Sequence, residues 1–278
     1  MADTFALKGR THGCDLGVPG RRDVFAAEWT KLRTTPGTVW LLLAIITVTV
    51  ALSAAAAGAA RCPAVGCGQD PAKVSLTGVD LGQAVVAVLA VLAVSGEYST
   101  GMIRTTLAAM PRRSTVLAAK AAVLTGLVLA AGTVAVLGSL LAGRLILPGH
   151  GFTVAHGFAP LSLGDGPVLR AAVGSVLYLG LVAVLSLGIA TAVRDYGVAI
   201  GLVLGLLYLF PIIGAVVSDP RLARHIEQAA PMTAGLDIQA TIGLRGLPLS
   251  PWAGLAVLAA WAVGALLAGA LLLRIRDV

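Results

Sequence analysis

The residues able to do chemistry in this chain are few, and many of them crowd into one stretch. GEYSTGMIRTTLAAMPRRSTVLAAK, residues 96–120, holds Glu97, Arg104, Arg112, Arg113 and Lys120, with long apolar runs on both sides. Such residues form ion pairs and grip polar partner surfaces, and arginine does so through a rigid fork of donors. No catalytic set accompanies them. His12, His150, His156 and His225 all fall between the apolar runs, and HIEQ at 225–228 lacks the second histidine of a zinc-binding HExxH helix. No GxxxxGK[ST] phosphate loop occurs. The expectation is a chain that is not an enzyme and binds no cofactor or metal itself.

The background against which these charges stand is greasy. The 278 residues are 58% hydrophobic and 12% charged, about half the roughly 25% charge of an ordinary soluble domain. Apolar runs near the ~20 residues needed to cross a bilayer recur along the chain. These features predict an integral membrane protein. The net charge of +7 suits basic loops that record orientation, and no basic cluster alternates with aromatics as nucleic-acid binding would ask. Cys62 and Cys67 lie five apart in a loop placed outside the membrane. There they can bond to each other, and two free thiols fit the spacing equally.

Six stretches are free of Asp, Glu, Lys, Arg and His, which predicts an all-α protein of six transmembrane helices. The expected spans are about 38–60, 79–97, 116–143, 168–193, 197–217 and 252–274, following a cytoplasmic tail over 1–22. Pro211 should kink the fifth span. Gly201 and Gly205 on that span have the small-xxx-small spacing that permits close helix packing. Thirteen of the 20 Lys and Arg fall on the side of the N-terminus if the spans simply alternate. This predicts a multi-pass protein of the cell (inner) membrane with both termini cytoplasmic. Thr47, Thr49, Gln83, Tyr208 and Phe210 are the polar and aromatic candidates for a path between spans one, two and five.

Two segments must sit at the cytoplasmic surface. In DVFAAEWTKLRTTPGT, Phe25, Trp29 and Leu32 share one helical face, while Glu28 and Lys31 lie elsewhere on the wheel. This predicts a helix along the interface, turned into the membrane at Pro36 and Gly37. The 96–120 stretch joins spans two and three. A carboxylate at the C-terminal end of a helix is disfavoured by its dipole, so either the helix runs on past Glu97 or Glu97 pairs with a base such as Arg104. Gly101 permits a change of direction. Ile103, Leu107 and Met110 then recur on one face of a short helix that Pro111 ends, with Ser114 placed to cap the next.

GEYSTGMIRTTLAAMPRRSTVLAAK resembles the cytoplasmic loop of type-2 ABC transporter permeases, in its glutamate, its G-x-[LI] and its L-A-x-x-P, with Met102 where Thr is usual. AEWTKLR (27–33) resembles the interfacial helix of the same family, particularly its actinobacterial members. LSPWAGLAVLAAWAVGALLAGALLLRIRDV (249–278) resembles its last span and basic end. The resemblance implies the type-2 exporter fold, with residues 98–115 forming a coupling loop that seats in a cleft of a separate ATPase. Glu97 and Gly101 would set the approach, Ile103, Leu107, Met110 and Pro111 the helix, and Arg104, Arg112 and Arg113 the polar contacts. Arg194, Asp195 and Tyr196 would make a smaller second contact, and residues 218–250 would hold re-entrant segments. It further implies two ATPase copies carrying ATP and magnesium, a second permease copy (identical or paralogous), and an apolar or amphipathic cargo such as a drug, natural product, lipid or peptide. Outside this resemblance, an ion-coupled carrier and a non-transport scaffold or sensor subunit remain as alternatives.

Overall fold

A computed structural model describes residues 21–64, 67–99 and 113–275. The described residues are helical, with no strand among them. In chain order the helices are α1 (Arg21–Thr34), α2 (Pro36–Ala59), α3 (Pro71–Leu76), α4 (Val79–Ser99), α5 (Arg113–Ile146), α6 (Gly166–Val193), α7 (Tyr196–Val216), α8 (Pro220–Ala229), α9 (Pro231–Leu236) and α10 (Pro251–Ile275). Short 3-10 turns occupy Leu147–His150, Val154–His156, Asp237–Gln239 and Leu244–Gly246. Proline marks the starts: Pro36, Pro71, Pro167, Pro220 and Pro231 all fall in first turns, where a missing N–H costs nothing. Arg194 turns the chain between α6 and α7 in a left-handed conformation, φ 67°.

Six helices, α2, α4, α5, α6, α7 and α10, are long and apolar enough to cross a membrane. Their bounds agree with the expected spans to within a few residues, and α4 begins at Val79 as read from the sequence. Two charges fall inside the expected spans: Asp80 sits in the first turn of α4 and Lys120 in the third turn of α5. The fifth apolar helix, α7, continues through Pro211.

Burial separates central from peripheral helices. In the most apolar stretch of α6, 61% of residues are buried, and 56% for the span containing α4, against 17% in α2 and in α7. The core accordingly runs along α6, with Tyr178, Leu179, Leu185 and Leu187 fully enclosed. α10 lies directly on α6. A Cβ on Gly188 would stand 2.5 Å from the backbone of Ala265 and Leu266, so the two backbones meet with no room for a side chain. A Cβ on Gly201 or Gly205 would meet nothing within 4 Å, so their spacing brings no helix close among the described residues.

At the end of the bundle that carries the 147–165 and 218–250 loops, the chain folds back inward. Ala230–Gly235 and Leu236–Ala240 are buried apart from the half-buried Thr233. A Cβ on Gly254 would lie 2.0 Å from the Ala234 carbonyl oxygen, which fixes α9 against the start of α10. Asp70 ties this segment to α3. Its carboxylate accepts from the backbone N–H of Ala72 (3.0 Å) and Lys73 (3.3 Å), capping α3, and from Thr241 Oγ1 (2.6 Å) and the Ile242 N–H (3.1 Å) across the bundle. Cys62 and Cys67 are joined in a disulfide with Cα atoms 5.5 Å apart. Cys62 is buried beside Ala57, Leu147 and Phe152.

Candidate functional site

The two helices that bound the 96–120 stretch, α4 and α5, meet α1 at the opposite end of the bundle from those loops. The wheel of α1 explains how. Phe25 and Trp29 are 41% and 48% exposed, so the apolar face looks away from the bundle, as an interfacial helix requires. Glu28, one residue out of phase, is turned inward and only 2% exposed. Lys31 reaches it at 3.3 Å along the helix. Of Leu32 only the helical backbone is described.

Lys120 comes from α5 to meet Glu28. Its Nζ lies 2.7 Å from Glu28 Oε2, with both side chains almost wholly buried. The same ammonium donates to the Ala93 carbonyl of α4 at 3.3 Å. One buried cation thus joins α1, α4 and α5. Two desolvated charges are stable only when paired and hydrogen-bonded, and this geometry meets that condition.

Most of the remaining residues of the polar stretch lie outside the described ones. Gly101, Ile103, Arg104, Leu107, Met110, Pro111 and Arg112 fall within 100–112, and of Glu97 and Arg113 only the helical backbone is described. The pairing expected between Glu97 and Arg104 falls there too. At the same end, Asp195 caps α7 by accepting from the Val198 N–H at 2.8 Å. Tyr196 beside it is 57% exposed.

The path candidates do not converge on one surface. Thr47 is exposed and donates to its own helix at Leu43 (2.9 Å), as span threonines commonly do. Thr49 is fully buried, and its hydroxyl has no hydrogen-bond partner. Gln83 is also fully buried: it accepts from the Tyr178 hydroxyl and donates to the Asp80 carbonyl at 3.0 Å. The Tyr208 hydroxyl donates to that same carbonyl, and Phe210 is half-buried. Together Gln83, Tyr178 and Tyr208 lock α4, α6 and α7 to one another. Within the 218–250 loop, burial pushes the Asp237 carboxyl up to about 6, with Lys73 opposing the shift and Glu227 adding to it.

No family model matches the chain, and no curated protein matches it. The family resemblance therefore rests on the motifs themselves. Sequence reasoning missed the Glu28–Lys120 pair because the partners are 92 residues apart. The available signal was phase: Glu28 interrupts the amphipathic wheel of α1, and Lys120 stands alone where an apolar run begins.

Proposed function

We propose that the chain is the membrane-spanning permease subunit of an ATP-driven exporter. It docks a separate ATPase through residues 98–115 and moves an apolar or amphipathic molecule. The Glu28–Lys120 pair carries the reading. α4 leads into the undescribed segment and α5 leads out of it. Lys120 bonds both α4 and the interfacial helix. A displacement imposed on that segment would thus reach two spans and α1 as one body.

The resemblance of residues 96–120, 27–33 and 249–278 to type-2 ABC permeases supplies the partner's identity. In this reading ATP and magnesium belong to two copies of the ATPase. A second permease, identical or paralogous, completes the path in the cell membrane, with both termini cytoplasmic. An ion-coupled carrier is the second reading. It is favoured by Asp80 in the first turn of α4 and by the raised carboxyl of Asp237, since coupling carboxylates are typical of carriers.

The test is the variant R104E/R112E, coexpressed with the partner ABC ATPase that this reading requires and assayed in proteoliposomes. Loss of ATPase copurification and of ATP-dependent transport, with membrane insertion kept, is expected. An intact complex with normal transport overturns the docking assignment. Transport driven by an ion gradient without ATP overturns the exporter in favour of the carrier. Copurification with unchanged ATP turnover indicates a scaffold.

A further inference from the structure

Between α6, α7 and α10 runs an open groove of about 580 Å³, lined only by apolar residues, among them Leu185, Ile189, Leu206, Val257, Trp261 and Gly264. Along α10 it extends from Val257 to Ala268, about 16 Å at the α-helical rise, close to the ~15 Å hydrocarbon depth of one leaflet. One end lies under α8. The Trp261 indole, part of the groove wall, donates to the Ala229 carbonyl at the last residue of α8 at 3.0 Å.

α8 has a basic face. Arg221, Arg224 and His225 are exposed, and none forms an ion pair among the described residues. His225 stands one turn before Ala229, and Arg221 about two turns before it, so the face extends from the mouth of the groove toward the loops. The carboxylates nearby point elsewhere. Asp219 caps α8 through the Arg221 N–H at 2.9 Å, and Glu227 is half-buried on the side toward Asp237. Leu222 on the adjoining face is 51% exposed. An exposed apolar residue next to unpaired cations is what the boundary between acyl chains and headgroups selects.

We propose that this groove and α8 form a binding site for an anionic phospholipid of the bilayer. The groove holds an acyl chain, and Arg221 and Arg224 hold the phosphate. Charge complementarity decides the occupant. An apolar groove alone would accept any lipid tail, but the exposed arginines on the helix that ends over it select an anionic headgroup. The inference goes beyond the transport reading and stands whether or not an ATPase is the partner.

Fluorescence quenching tests it directly. The variant W29F/W40F/W252F keeps Trp261 as the sole tryptophan, and the three replaced indoles are all exposed. It is placed in phosphatidylcholine vesicles doped with acyl-brominated phosphatidylglycerol or, at equal mole fraction, acyl-brominated phosphatidylcholine. The expected result is preferential quenching by the anionic lipid, with an affinity preference of about thirtyfold for two arginines. Adding R221Q/R224Q should abolish the preference. Adding G264L should remove the preference and leave the same residual quenching by both lipids, because a Cβ on Gly264 meets nothing within 4 Å and a larger side chain there occupies the groove, while Trp261 itself stays 39% exposed. Helical circular dichroism checks that each variant is folded, and R224Q alone replaces the double variant if that fails to insert. Equal quenching by both lipids, a preference that survives loss of the arginines, or no quenching by either lipid because protein covers the groove would each overturn the proposal.

Discussion

At the residue scale, the Glu28–Lys120 pair sets the strongest expectation. Breaking a buried ion pair leaves one charge desolvated and unmatched, which costs about 3–5 kcal/mol, whereas replacing both partners with apolar residues of similar size is often neutral. E28Q should therefore lower the unfolding free energy of the purified protein by about 3–5 kcal/mol, and E28M/K120M should recover most of that loss. Denaturant unfolding of the two variants beside the parent protein measures both. Equal losses in the single and double variants would mean that the side chains contribute only packing. The sequence displayed the ingredients of this site without their pairing. Glu28 was visible as a polar residue off the apolar face of α1, and Lys120 as one more basic residue beside a span. Nothing local relates positions 92 residues apart.

At the scale of elements, glycine sorts the helix contacts into those that need it and those that do not. Gly188 lets α6 and α10 touch backbone to backbone, so G188A must push the helices apart. Overpacking of this kind costs about 1–3 kcal/mol or more. G201A meets open space and should be neutral, or stabilise slightly through better helix propensity. Comparing melting temperatures of the two variants checks this, and a similar loss in both would contradict the contact. Both glycines belong to long apolar helices, and the sequence favoured Gly201 because its partner Gly205 follows at helical spacing. Spacing along one helix says which residues share a face. It does not say whether another helix lies against that face, and here α7 is peripheral while α6 is central.

At the scale of the whole molecule, six helices are long and apolar enough to cross a membrane, and six crossings would put residues 21 and 275 on one side and the 147–165 loop on the other. Single cysteines introduced as A155C and V278C, in a protein lacking the native thiols, should react with an impermeant maleimide from opposite sides of sealed vesicles. Labelling of both from the same side would require an even number of crossings between them, where α6, α7 and α10 make three. This much was legible from composition alone. Runs of apolar residues long enough to span a bilayer must become helices there, because no other local conformation satisfies every backbone hydrogen bond in hydrocarbon. The turn at Pro36 and the phase of α1 were legible for the same reason, being short-range properties, whereas Ser114, expected to cap the third span, lies inside α5, which begins at Arg113. Which helix is central, which face of α8 meets the groove under Trp261, and which lysine neutralises Glu28 were not. Those depend on contacts between residues far apart in the chain, and in a sequence built so largely from Ala, Val, Leu and Gly many packings satisfy the local pattern equally. Tertiary structure selects among them through the few places where a glycine admits a backbone or a buried charge demands its partner.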